Sequence, residues 1–142
     1  MEQFTQTLQS YLNLREALLR ELTTKPAMDF SWYAAIDMAP NVRRRRQTDP
    51  TTWRFDELAQ LARVMGVSDR AVHSVKWYLS QVKKYVETLP DEERQRFYKT
   101  CQLNPKKIDI RQQGQQCWRV VELERMVLFF RSVSHQNAFD MD

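Results

Sequence analysis

The sequence predicts an all-α fold, a single multi-helix domain whose one departure is a short β-hairpin near 107–118. Three observations predict it. Apolar residues recur at helical spacing in three long segments, near 3–23, 53–89 and 117–134. Pro90-Asp91-Glu92-Glu93 is a helix start, with proline first and acids at the positive helix end. Only Lys107–Gln113 alternates, with Ile108 and Ile110 between polar residues, and Gln112-Gln113-Gly114-Gln115-Gln116 after it reads as a turn. At that point a hairpin, or wing, competes with an extended start of the last helix. A chain of 142 residues suits one domain around one core.

The elements follow in order. Residues 1–24 form an amino-terminal helix whose stripe of Phe4, Leu8, Tyr11, Leu12, Leu18, Leu19 and Leu22 serves either the core or a dimer contact. Residues 25–50 read as an irregular connection, because Pro26, Pro40 and Pro50 each disfavour helix at the preceding residue. That connection ends in Arg43-Arg44-Arg45-Arg46, with only Asp49 near enough to pair. It is therefore expected to be a basic arm that tracks phosphates or enters a minor groove. Within 51–88 a helix begins at Thr51 or Thr52. A second, long helix carries Val72, Val75, Leu79, Val82 and Val86 on one 3-4-3-4 seam up to Leu89. Residues 90–134 hold the carboxy-terminal helices. The first should run to about Gln102 and bury Phe97 and Cys101. The second widens at Leu128-Phe129-Phe130 beyond a single stripe, which implies a buried helix or a subunit interface. Residues 135–142 form a polar, frayed tail.

The stretch Leu58 to Trp77 carries the functional signal. Leu61, Ala62 and Met65 line the inner face of one helix, and Ala62 is small enough to let the next helix cross closely. Gly66 stands where the chain leaves that helix, at an expected positive φ that glycine takes without a Cβ clash. Val67 plugs the turn, Ser68 caps the following helix and Asp69 adds a carboxylate at its positive end. Val72 and Val75 face back inward. This pattern resembles the DNA-binding helix-turn-helix superfamily over about a seventh of the chain. The resemblance implies a second helix that enters the major groove, and double-stranded DNA as the partner.

On that reading the outward residues are Ser68, Asp69, Arg70, His73, Ser74 and Trp77, with burial of Trp77 beneath the amino-terminal segment the favoured alternative for that side chain. Arg70 suits base readout, since a guanidinium can donate twice to guanine O6 and N7. His73 and Ser74 lie one turn further, within reach of a base or a phosphate. Lys76, Lys83 and Lys84 suit phosphates. Asp69 would repel phosphates, so its expected work is local. Charge placement agrees: Arg43 to Lys84 holds ten Lys or Arg against four acids, a balance of +6, while the remainder holds twelve against fourteen, a balance of −2.

Other classes find less support in the residues. The chain has two glycines and no pair to build a phosphate-binding loop. Cys101, Cys117, His73 and His135 do not match a metal site, so no enzyme, metal or cofactor is expected. Both cysteines read as small core residues, and two do not make a disulfide framework. No apolar run approaches the roughly 20 residues of a membrane span, and Met1-Glu2-Gln3 opens no signal-peptide pattern, so the expectation is cytoplasmic. A single such motif reads a short half-site, which makes a homodimer the expected form, held by the late seam or by the Leu128-Phe129-Phe130 cluster. The leading expectation is a sequence-specific DNA-binding regulator of bacterial or mobile-element type. The alternatives are a DNA-loading assembly protein, such as a small terminase subunit or relaxosome accessory, and a protein-binding adaptor.

Overall fold

Helix-start residues set the architecture more than helix breakers do. The computed structural model describes residues 2–24, 26–114 and 117–140, and for 26–30 and 134–140 the backbone alone. Among the described residues there are nine α-helices, α1 (Glu2–Thr24), α2 (Pro26–Ala35), α3 (Pro40–Thr48), α4 (Phe55–Val64), α5 (Arg70–Leu79), α6 (Val82–Thr88), α7 (Asp91–Cys101), α8 (Pro105–Gln112) and α9 (Val120–Asp140), with a 3-10 turn at Pro50–Thr52 and no strand. The chain is all-α, as expected from its periodicity.

Two expectations fail here for one physical reason. The stretch 25–50 is not an irregular connection but carries α2 and α3, and 107–118 is not a hairpin but carries α8. In each case a proline stands at the first helical position, where its missing N–H costs nothing and its fixed φ suits the helix. Ala39, before Pro40, is extended (φ −63°, ψ 148°). Asn104, before Pro105, caps α8 by accepting the Lys107 backbone N–H at 2.8 Å. The prolines do restrict the preceding residue, but they restrict it to a helix-capping conformation. Of the expected frayed tail, residues 135–140 continue the backbone of α9, and 141–142 lie outside the described residues.

The long second helix of the seam is also interrupted. Ser80 and Gln81 separate α5 from α6. Gln112 holds this break: its side-chain oxygen accepts the Lys83 backbone N–H at 2.8 Å, and its nitrogen donates to the Ser80 carbonyl at 3.2 Å. Both groups lie at the break, where a helix leaves backbone polar groups unpaired. The first motif helix, α4, begins at Phe55 rather than Thr51 or Thr52, because the 3-10 turn precedes it.

The chain forms two compact units, residues 10–74 and residues 1–9 with 75–142. In the first, α2 packs on α4 and α3 on the 3-10 turn. Tyr11 meets Phe55 edge-on at 5.0 Å between ring centroids, and Tyr33 stacks on Trp53 at 6.0 Å. In the second, α7 packs on α9, and α6 on α7 and α8. Phe4 lies 5.0 Å from Phe130, and Phe97 lies 5.2 Å from Phe129. Phe97 and Cys101 are both fully buried, as the periodicity of α7 predicts.

The surfaces reserved for a dimer are spent inside the chain. Leu79, Val82 and Val86 are buried, and so are Phe129 and Phe130, with the Arg96 guanidinium over the Phe129 ring at 5.4 Å. Leu128 alone of its cluster points outward, 64% exposed.

Candidate nucleic-acid interface

The turn after α4 is built by its backbone. Gly66 has φ +75°, the left-handed conformation expected of it. Its N–H donates to the Arg63 carbonyl at 3.1 Å, and the Val67 N–H donates to the Ala62 carbonyl at 2.8 Å. These two bonds close a Schellman motif and satisfy carbonyls that the helix end would otherwise leave open. An added Cβ at Gly66 would meet nothing within 4 Å, so it is backbone conformation that favours glycine there. Ser68 accepts the Arg70 backbone N–H at 3.3 Å, the capping expected of it. Leu61, Ala62, Val72 and Val75 are fully buried and Met65 partly so. Val67 does not plug the turn; it is 43% exposed, because the Schellman bond carries its N–H under the turn and its side chain away.

Asp69 ties the turn together. Its Oδ2 lies 3.0 Å from His73 Nε2 and 3.4 Å from Arg63 Nε. One carboxylate is thus flanked by two groups able to offset its charge, which reduces its repulsion of a phosphate. One nitrogen of His73 is engaged in this contact, so the imidazole reaches outward only through Nδ1.

The proposed ligands separate into exposed and spent. Arg44, Arg45, Arg70, Lys76 and Lys84 are exposed, and Ser74 is half-buried. Among the described residues the side chains of Arg44, Arg45 and Arg70 have no partner. Arg43 is half-buried with its guanidinium 5.9 Å over the Tyr33 ring. Lys83 lies 3.0 Å from Asp109, whose hydrogen bond and charge hold its ammonium above the usual lysine range.

Arg46 departs from expectation altogether. It is 5% exposed and grips Glu57 with two bonds, Nε to Oε1 at 2.8 Å and Nη2 to Oε2 at 3.1 Å. The same carboxylate accepts the Arg54 backbone N–H at 2.9 Å, capping α4. Its partner lies eleven residues on rather than beside it, which a search for neighbouring acids passes over. The four arginines are therefore not an extended arm. Helical geometry turns one of them into the core and sends Arg44 and Arg45 to the surface.

Trp77 also departs from the burial favoured for it. It is 59% exposed, its ring edge-on to Tyr78 with centroids 5.0 Å apart, and with Arg70 and His73 it occupies positions i, i+3 and i+7 of α5. Those positions share one helix face.

Cys117 is exposed rather than core, whereas burial pushes the Cys101 thiol up to about 12. A thiol reagent at neutral pH should accordingly modify one cysteine per chain in the native protein and two after denaturation. Two native equivalents would contradict the burial of Cys101.

No helix among the described residues is long and apolar enough to cross a membrane. Comparison with models of protein families, with curated proteins and with solved structures finds no match.

Proposed function

We propose that the chain is a sequence-specific DNA-binding protein that reads duplex DNA with α5 and holds its phosphates with neighbouring cations. The observation that carries this reading is Arg70, exposed at the start of α5 after a glycine-ended helix, with no side-chain partner among the described residues. Guanidinium groups left exposed without an internal partner are available to a ligand, and phosphates are the ligand that a locally basic stretch attracts. Arg70 contacts base edges, while Arg44 and Arg45 contact the backbone. A homodimer belongs to this reading, because a single helix covers only a half-site. Regulation of transcription is its natural setting, with the DNA-loading assembly role as the second reading.

Titration against duplex DNA at several salt concentrations tests it. Log K should fall linearly with log salt. Arg70→Ala should cost about 1–3 kcal/mol on a preferred site and relax sequence preference there. Absence of binding at low salt, or a flat salt plot, would overturn the reading.

A further inference from the structure

The chain matches itself. Set 65 residues apart, positions 33–58 and 98–123 share eight identical residues of 26, among them Pro40 and Pro105, Arg46 and Arg111, Trp53 and Trp118, and Glu57 and Glu122. The two stretches also fold alike. Asp37 and Gln102, at the same spacing, are the only non-glycine residues with positive φ among those described, and each has φ 54°. The residue after each donates to a tyrosine carbonyl, Met38 to Tyr33 at 3.1 Å and Leu103 to Tyr98 at 3.2 Å. Pro40 and Pro105 then open α3 and α8. Arg111 grips Glu122 as Arg46 grips Glu57, with bonds of 3.1 and 3.2 Å, and Glu122 accepts the Arg119 backbone N–H at 2.8 Å.

Between the shared proline and the shared arginine the two stretches part. At this register Asn41, Arg44 and Arg45 stand against Lys106, Asp109 and Ile110. These are positions i, i+3 and i+4, which share one helix face. In the second stretch Asp109 and Ile110 are used inside the fold: α8 packs on α6, Asp109 lies 3.0 Å from Lys83 of α6, and Ile110 is half-buried. In α3 all three residues are exposed, and among the described residues none of their side chains has a partner. The caps differ as well. Asn104 caps α8, whereas its counterpart before α3 is Ala39, which has no side-chain acceptor. An asparagine stands two residues later, at Asn41, inside α3 and on its outer face, where it adds little to helix stability.

We infer that the chain is a tandem duplication of one helical unit whose copies have divided their work, and that the first copy alone turns this face to DNA, making α3 a second DNA-reading helix beside α5. Arg44 and Arg45 anchor the face on phosphates, and Asn41, one turn before them, meets base edges. An asparagine amide donates and accepts at once, which matches the pattern adenine presents in the major groove. Two uncommitted guanidinium groups on a helix without an acid supply the attraction for a polyanion. Moreover, α3 leaves α2 through the pair of bonds by which the chain leaves α4. Asp37 donates to the Ala34 carbonyl and Met38 to that of Tyr33, both at 3.1 Å, as Gly66 donates to Arg63 at 3.1 Å and Val67 to Ala62 at 2.8 Å. The inference rests on the nucleic-acid reading and adds to it a base contact and a division between the copies.

The test uses the full chain, a duplex that it selects from a random pool, and an unrelated duplex of equal length, across a salt series. Asn41→Ala should lower the preference between the two duplexes by about tenfold and leave the slope of log K against log salt unchanged. Arg44→Gln with Arg45→Gln should weaken binding to both duplexes and lower the magnitude of that slope by about 2. Circular dichroism and thermal midpoint should stay at the parent values, since all three side chains are exposed. An unchanged preference in Asn41→Ala, or an unchanged slope in the arginine variant, overturns α3 as a reading helix while leaving DNA binding intact. An equal loss of slope from Lys106→Gln with Lys107→Gln overturns the division between the copies. No binding by the parent chain at low salt overturns the nucleic-acid reading itself.

Discussion

Glu122→Ala should destabilise the protein by about 3–5 kcal/mol, a large share of the roughly 5–15 kcal/mol that holds such a domain folded. The carboxylate is buried and does two jobs, taking both guanidinium bonds of Arg111 and the backbone N–H of Arg119. Its removal takes two charge-assisted bonds from a buried cation and leaves the start of α9 uncapped. Both losses act on one site, so compensation by water is limited. The thermal midpoint should fall by on the order of 10 °C or more. Glu57→Ala removes the corresponding carboxylate of Arg46 and should act in the same direction, but less strongly, since Glu57 is 20% exposed against 6% for Glu122. A Glu122→Ala protein that melts with the parent would show that the pair contributes nothing.

Phe129→Glu should unfold the protein rather than dissociate it. The ring is 2% exposed, 5.2 Å from Phe97 and 5.4 Å from Phe130, with the Arg96 guanidinium over its face. Replacing it loses the packing of an aromatic side chain and places a carboxylate in an apolar site, roughly 4 kcal/mol or more against folding. The adjacent Leu128→Glu, at a position 64% exposed, should leave stability within about 0.5 kcal/mol. Sedimentation and circular dichroism on both variants separate the outcomes. A folded Phe129→Glu monomer beside a dimeric parent would restore Phe129 to an interface.

Which parts were legible follows from the range of the interaction that decides each. Helical periodicity is local, so the helices carrying Phe4 to Leu22, Leu58 to Ala62 and Phe97 to Cys101 could be read directly. The positive φ of Gly66 and the cap at Ser68 depend on neighbours within five residues and were equally legible. Prolines misled because one residue type both ends and begins helices. Only the chain on either side of Pro26, Pro40 and Pro105 tells which.

The sequence by itself determined the helical class, the burial of Phe97 and Cys101 and the Gly66 turn. Tertiary structure alone decided which cations remain for a ligand. Arg46 is consumed by Glu57 eleven residues away, and Lys83 by Asp109. The break between α5 and α6 is held by Gln112, 29 and 32 residues beyond the groups it bonds. Burial of Phe129 and exposure of Trp77 were likewise decided by what packs against each helix. Charge and polarity belong to a residue, but availability belongs to its surroundings, and those are set by contacts that sequence distance does not reveal.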